Sequence, residues 1–252
     1  MFGRFFRPTC PCDIDAKRWV ESRLGWLDVQ FPRNVFRERA MIIPTIEHFP
    51  EPYDATDACV IRLADRIARV MGVDFANIDL EIDDLDDGVE LVDGDGRAVG
   101  GVAGLYAGGP ERRCVSLCRS QLGSPMNLVG TIAHEFAHER LMGEGRVGDD
   151  EFDNELLTDL TVVHFGLGIF LANSPRNWPA DQKFWPNSKL VRPEYMSPPM
   201  FGYALAHVAW HANNRKPEWA RYLGQAVRAD FQQSVRYLFE TRESAFVRSG
   251  TG

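Results

Sequence analysis

No stretch of this chain carries eighteen consecutive apolar residues, about the least that a membrane-spanning helix needs. The sequence therefore predicts no membrane partner. Excess positive charge is missing too. Lys and Arg number 28 against 36 Asp and Glu, a net charge of −8, whereas nonspecific nucleic-acid binding needs basic patches to meet phosphates. No nucleic-acid partner is expected. Cysteine is scarce and odd in number: Cys10, Cys12, Cys59, Cys114 and Cys118. A secreted disulfide scaffold is denser and even. The opening Met1-Phe2-Gly3-Arg4-Phe5-Phe6-Arg7-Pro8 lacks the continuous apolar core of a secretion signal. Together these absences predict a reducing, cytoplasmic compartment. Cys10-Pro11-Cys12 has the spacing of a metal or redox pair, but C-x-C with no second pair is a weak signal. Cys114 and Cys118 share one face of a strand-like stretch and read as small buried side chains.

What is present is an ordinary globular composition, 44% apolar and 25% charged over 252 residues, which fits one domain. Ile14, Ala16, Trp19, Val20, Leu24 and Leu27 recur at helical spacing and predict a helix over 13–30. A second amphipathic helix is expected over 55–72, closed by Gly72. Ile78, Leu80 and Ile82 alternate with Asp79, Glu81 and Asp83, the pattern of a half-exposed strand. Asp93-Gly94-Asp95-Gly96 lacks the spacing and terminal Glu of an EF-hand and predicts a turn. Residues 102–106 and 112–117 read as two strands around a Gly-Gly-Pro turn. Six prolines between 174 and 199 predict a long irregular segment able to cover a cleft. Two closing helices are expected over 200–213 and 218–240, then a disordered end from 248.

The chemistry lies in His134-Glu135-Phe136-Ala137-His138. Met126 to Ala133 leads into it with apolar residues at helical spacing. Ser124 and Pro125 suit a helix start, and Gly143 and Gly145 supply the stop, so a helix is expected over about 124–142. Histidines four apart lie on one face, one turn apart, and can grip one metal ion together. Glu135, rotated by about 100° of helix, can reach a water on that ion. A third ligand and one open position would make a hydrolytic zinc site.

Asn154-Glu155-Leu156-Leu157-Thr158-Asp159 follows, then an apolar stretch through Leu167 that reads as a second helix starting near Glu151. Glu155 and Asp159 share a face of it. Buried carboxylates are costly unless paired or bound to metal; the alternative is a solvated acidic first turn favoured by the helix dipole.

HEFAH followed by NELLTD resembles the gluzincins, the thermolysin-like zinc metallopeptidases, which carry HExxH and then NExxSD. The resemblance implies that Glu155 is the third zinc ligand and that Asp159 orients His134. Thr158 stands where the family usually has Ser. The step from His138 to Glu155 is seventeen residues, slightly short for the family. Glu139 and Arg140 replace the family's uncharged residues, which implies a more exposed helix end. A metzincin pattern fails, because Leu141 and Glu144 stand where it needs Gly and His or Asp. The run Gly166-Leu167-Gly168-Ile169-Phe170 with Ala172-Asn173 is similar to an uncharacterised bacterial HExxH family.

The expected fold is α+β and zincin-like: a single domain over 1–252, with a small twisted sheet, an active-site helix and a mostly helical C-terminal half. Its parts are a tail to 12, helices and sheet over 13–123, metal-binding helices over 124–173, the irregular loop over 174–199 and closing helices over 200–242. The expected activity is hydrolysis of a peptide or protein substrate, with Zn²⁺ on His134, His138 and Glu155, and Glu135 as general base. One strand before the metal helix would be an edge for an extended peptide, or else part of an ordinary hairpin. Tyr195 is the first candidate to stabilise an oxyanion, with Tyr203, His207 and His211 as alternatives. The rival readings are a metal-stabilised binding domain, which Asp159 as a fourth ligand would favour, and a regulator that keeps the fold without turnover.

Overall fold

Asp13 opens the first helix by accepting the backbone N–H groups of Asp15 and Ala16, at 2.9 and 2.8 Å. The computed structural model describes residues 7–32, 40–83, 91–92, 98–99, 104–108, 113–148, 150–174 and 183–246. The turn expected at 93–96, the Gly-Gly-Pro turn after Gly108, all of 175–182 and the chain end from 248 lie outside them.

Helix α1 (Ile14–Gln30) buries Val20, Leu24 and Leu27 on one stripe, as its spacing predicts. Helix α2 (Asp57–Met71) starts at a Thr56 cap and ends on Gly72, whose φ of +71° suits glycine. Strand β1 (Asp79–Asp83) follows, then the short strands β2 (Leu91–Val92) and β3 (Ala98–Val99), which pair antiparallel. Strands β4 (Gly104–Gly108) and β5 (Arg113–Cys118) form a hairpin-like antiparallel pair, and β1 joins β5 in parallel. The order is β1-β5-β4, so β5 is central and β4 is an edge among the described residues. Val115 and Leu117 carry the buried face of this sheet. Cys118 is buried beside them, while Cys114 is only half-buried.

Helix α3 (Pro125–His138) runs through the middle of the molecule and packs against α2, β4, α4 (Asn154–His164) and α5 (Gly168–Ala172). Pro125 occupies its first turn, but the Ser124 side chain makes no cap. After His138 the helix widens into one π-type turn, 139–143, in which Glu144 N–H reaches back to Glu139 O at 3.0 Å. Two expected helices are shorter than their apolar patterns. The one after Glu151 begins only at Asn154 and stops at His164, because Gly166 turns the chain with φ +81°, and α5 is a separate piece. The one over 218–240 is split: a 3₁₀ turn at Glu218–Tyr222 precedes α7 (Gln225–Thr241).

The segment expected to be irregular contains a small antiparallel pair, β6 (Lys183–Phe184) with β7 (Val191–Arg192). Trp185 anchors it on α1, its ring 6.0 Å from that of Trp19. Helix α6 (Pro198–His211) is buried at twelve of its fourteen positions, which explains a sequence apolar on every side. It lies so close to α7 that a Cβ on Gly202 would sit 2.7 Å from the Phe231 backbone nitrogen. The protein is thus mixed α+β, mostly helical around a small sheet. Among the described residues no helix is long and apolar enough to cross a membrane.

Candidate metal centre

Helix geometry sets the first half of the site. His134 and His138 point the same way from α3, their rings 4.7 Å apart and edge to face, and both are buried. The second half comes from α4, whose start is fixed at a distance. Asp153, fully buried just before the helix, accepts the Trp19 indole N–H and two Arg23 hydrogen bonds at 2.8 and 2.6 Å. Arg23 also holds Glu151 at 2.7 Å. These α1 contacts deliver Glu155 to the histidines.

Glu155 Oε2 lies 3.0 Å from His134 Nε2, Glu155 Oε1 lies 3.6 Å from His138 Nε2, and the two Nε2 atoms are 3.2 Å apart. Among the described residues this is the group of His, Cys, Asp and Glu side chains that could hold a metal ion, with ligand atoms all within 4.8 Å of one another. The protons on the far side of each ring define what faces inward. The Thr158 hydroxyl donates to Asn154 O at 2.9 Å, so it can only accept from His138 Nδ1, 3.3 Å away. Asp159 Oδ1, an acceptor, lies 3.0 Å from His134 Nδ1. Both rings therefore carry their proton on Nδ1, and neutral rings turn bare Nε2 lone pairs toward a carboxylate. Two lone pairs and an anion converging at these distances repel unless a cation lies between them. Two imidazole nitrogens and one carboxylate are also a donor set that zinc takes in catalytic sites.

Asp159 supplies no atom to this cluster. Its Oδ2 accepts the Met196 backbone N–H at 2.9 Å, tying the 183–196 segment to α4. Tyr195, next along, is half-buried with its ring 5.9 Å from that of His134. Glu135 is 5% exposed, on the same buried length of α3 as the histidines.

Three features here were not anticipated. Tyr106 of β4 stacks on His138, with ring centroids 6.3 Å apart and planes 15° from parallel. Its hydroxyl donates to Glu139 Oε2 at 2.6 Å, and Arg113 of β5 holds Oε1 at 2.7 Å. The helix end is therefore not exposed, which corrects the expectation: Glu139 is 3% exposed. Arg140 lies half-buried against the rings of Phe31 and Phe165 and donates to Gly72 O at 2.8 Å. The third is the Thr158 contact with His138. Only the Tyr106 position, an aromatic in a strand before the helix, left any signal in the sequence.

Tyr203, His207 and His211 are not brought to this cluster. The Tyr203 hydroxyl donates to buried Glu21 at 2.5 Å, and that carboxylate and burial raise its pKa. His207 is fully buried, with Nδ1 3.0 Å from Tyr203 O and Nε2 2.9 Å from Ser244 Oγ, and burial lowers its pKa to about 4. His211 stacks on Phe246 at 4.6 Å. His207 and His211 seat the 244–246 segment. Neither a known protein family, nor a curated protein, nor a solved structure matches this chain.

Proposed function

We propose that this protein is a zincin-like, gluzincin-type metallopeptidase that hydrolyses peptide bonds with Zn²⁺ held by His134, His138 and Glu155. The observation that carries this reading is the inward convergence of three metal-ligating groups whose histidines are each anchored from behind, by Asp159 and by Thr158. Zinc in such a site supplies Lewis-acid activation of water and of a carbonyl oxygen. The remaining work falls to the chain itself. Glu135, adjacent to a ligand in sequence, takes the proton of the attacking water and returns it to the leaving amine. Tyr195, beside His134, offers a hydroxyl donor for charge developing on the carbonyl oxygen. Strand β4, an edge among the described residues and held over His138 by Tyr106, suits an extended peptide by strand addition. A closed, purely structural metal site would need a fourth protein ligand. The natural candidate, Asp159, stands outside the cluster of His134, His138 and Glu155 and holds His134 and Met196 instead.

The test pairs two measurements on the parent and Glu135→Gln: zinc per chain by mass spectrometry, and cleavage of a mixed peptide library. The expected result is about one zinc in both proteins, with cleavage at least ~10²-fold slower in the variant. Equal cleavage by both would remove Glu135 from the mechanism. A zinc-loaded parent that cleaves nothing would replace the hydrolase reading with a metal-binding regulator that recognises a peptide or protein partner.

A further inference from the structure

The cysteine pair ahead of α1 plays no part in the site above. We infer that Cys10 and Cys12 form a peroxide-reactive dithiol, in which Cys10 attacks and Cys12 closes an intrachain disulfide. The pair opens onto a cavity of about 490 Å³ whose walls include Arg7, Lys17, Tyr237 and Glu243. Both cysteines are half-buried, within reach of a small oxidant. Pro11 between them fixes one backbone torsion of the one-residue link.

The two thiols are unequal. The Cys12 thiol gives its one hydrogen to the Pro199 carbonyl, 3.2 Å away, and so is held in its protonated form. The adjacent Cys12 and the nearby Lys17 ammonium outweigh burial and lower the Cys10 pKa. The adjacent Cys10 and burial raise that of Cys12. The thiolate is the nucleophilic form of cysteine, so Cys10 is primed and Cys12 stays protonated beside it. Cys59 is buried with its sulfur 3.8 Å from Pro52 O, Cys114 lies 3.8 Å from Ser116 Oγ, and Cys118 is buried 3.0 Å from Ser120 Oγ.

The chemistry balances with hydrogen peroxide as oxidant. The Cys10 thiolate attacks one peroxide oxygen, the O–O bond breaks, and hydroxide leaves, giving a sulfenic acid. The Cys12 sulfur then displaces the sulfenic hydroxyl. The S–S bond forms, the Cys12 proton leaves with that hydroxyl as water, and the protein has lost two electrons.

The experiment uses the full reduced chain. Iodoacetamide at pH 7, read by peptide mass mapping, should label Cys10 at least about tenfold faster than Cys59, Cys114 or Cys118. Stoichiometric hydrogen peroxide should remove two hydrogens from the peptide that holds Cys10 and Cys12, reversibly with dithiothreitol. In Cys12→Ser the reaction should stop at a Cys10 sulfenic acid that dimedone traps; in Cys10→Ser neither product should form. The alkylation and peroxide readings on the parent need no variant. Labelling of Cys10 no faster than Cys114, or a peroxide-treated parent without the Cys10–Cys12 bond, would overturn the inference.

Discussion

Thr158 and His138 are joined by a hydrogen bond of fixed direction: the hydroxyl gives its own proton to Asn154 O and so must receive one from the Nδ1 atom of the ring. A single methyl-for-hydroxyl exchange tests what that bond is for. Thr158→Val keeps the shape but leaves a buried N–H with no acceptor, and zinc affinity should fall about tenfold, the low end for groups that orient a ligand. Thr158→Ser should stay near the parent. Competition with a chromophoric chelator reads both, and equal affinity for parent and valine variant would separate Thr158 from the cluster.

Asp159 serves two donors at once, His134 Nδ1–H and Met196 N–H. An asparagine has one acceptor oxygen and an NH₂ group, so Asp159→Asn must turn a donor toward one of them. Zinc affinity should drop by about 10–100-fold. The Met196 amide should also exchange faster with deuterium. An unchanged affinity together with an unchanged Met196 amide would mean that neither bond matters.

His207 sets a pH dependence of stability. Its folded pKa of about 4 lies below the ordinary 6.5 because burial penalises the charged ring. Protons therefore bind the unfolded chain more readily between these values. The contribution is complete above pH 6.5 and is lost as pH falls toward 4, amounting to about 2 kcal/mol between pH 7 and pH 5. His207→Asn should be less stable at pH 7 but lose that much less on acidification. Urea midpoints at the two pH values measure this, and parallel losses in parent and variant would reject it.

The parts of the site that could be read in the sequence are those in which one helix does the work. The spacing of His134 and His138 specifies a shared face without help from the fold, and Glu155 and Asp159 likewise declare a common side of α4. What could not be read depends on contacts between distant segments. Glu139 looked like a solvated helix end because its partners, Tyr106 and Arg113, sit 33 and 26 residues earlier in the chain. His207 and His211 repeat the four-residue spacing of the metal pair. They differ only in what α6 meets: the chain end at 244–246 instead of an acidic helix. The breaks at Gly166 and before Gln225 were hidden by continuous apolar patterns, which report burial and not where a helix stops.

The bond between Arg23 and Asp153 closes a loop of 130 residues. Contacts of that span form late, since the chain must first give up the entropy of bringing its ends together. Glu155, two residues beyond Asp153, is therefore held beside the histidines only once α1 has docked. An unfolded or half-folded chain carries the same side chains but no cluster. A cation captured there would find its site only on the native side of the folding barrier. It would slow the escape from the folded state and leave the rate of reaching it nearly untouched.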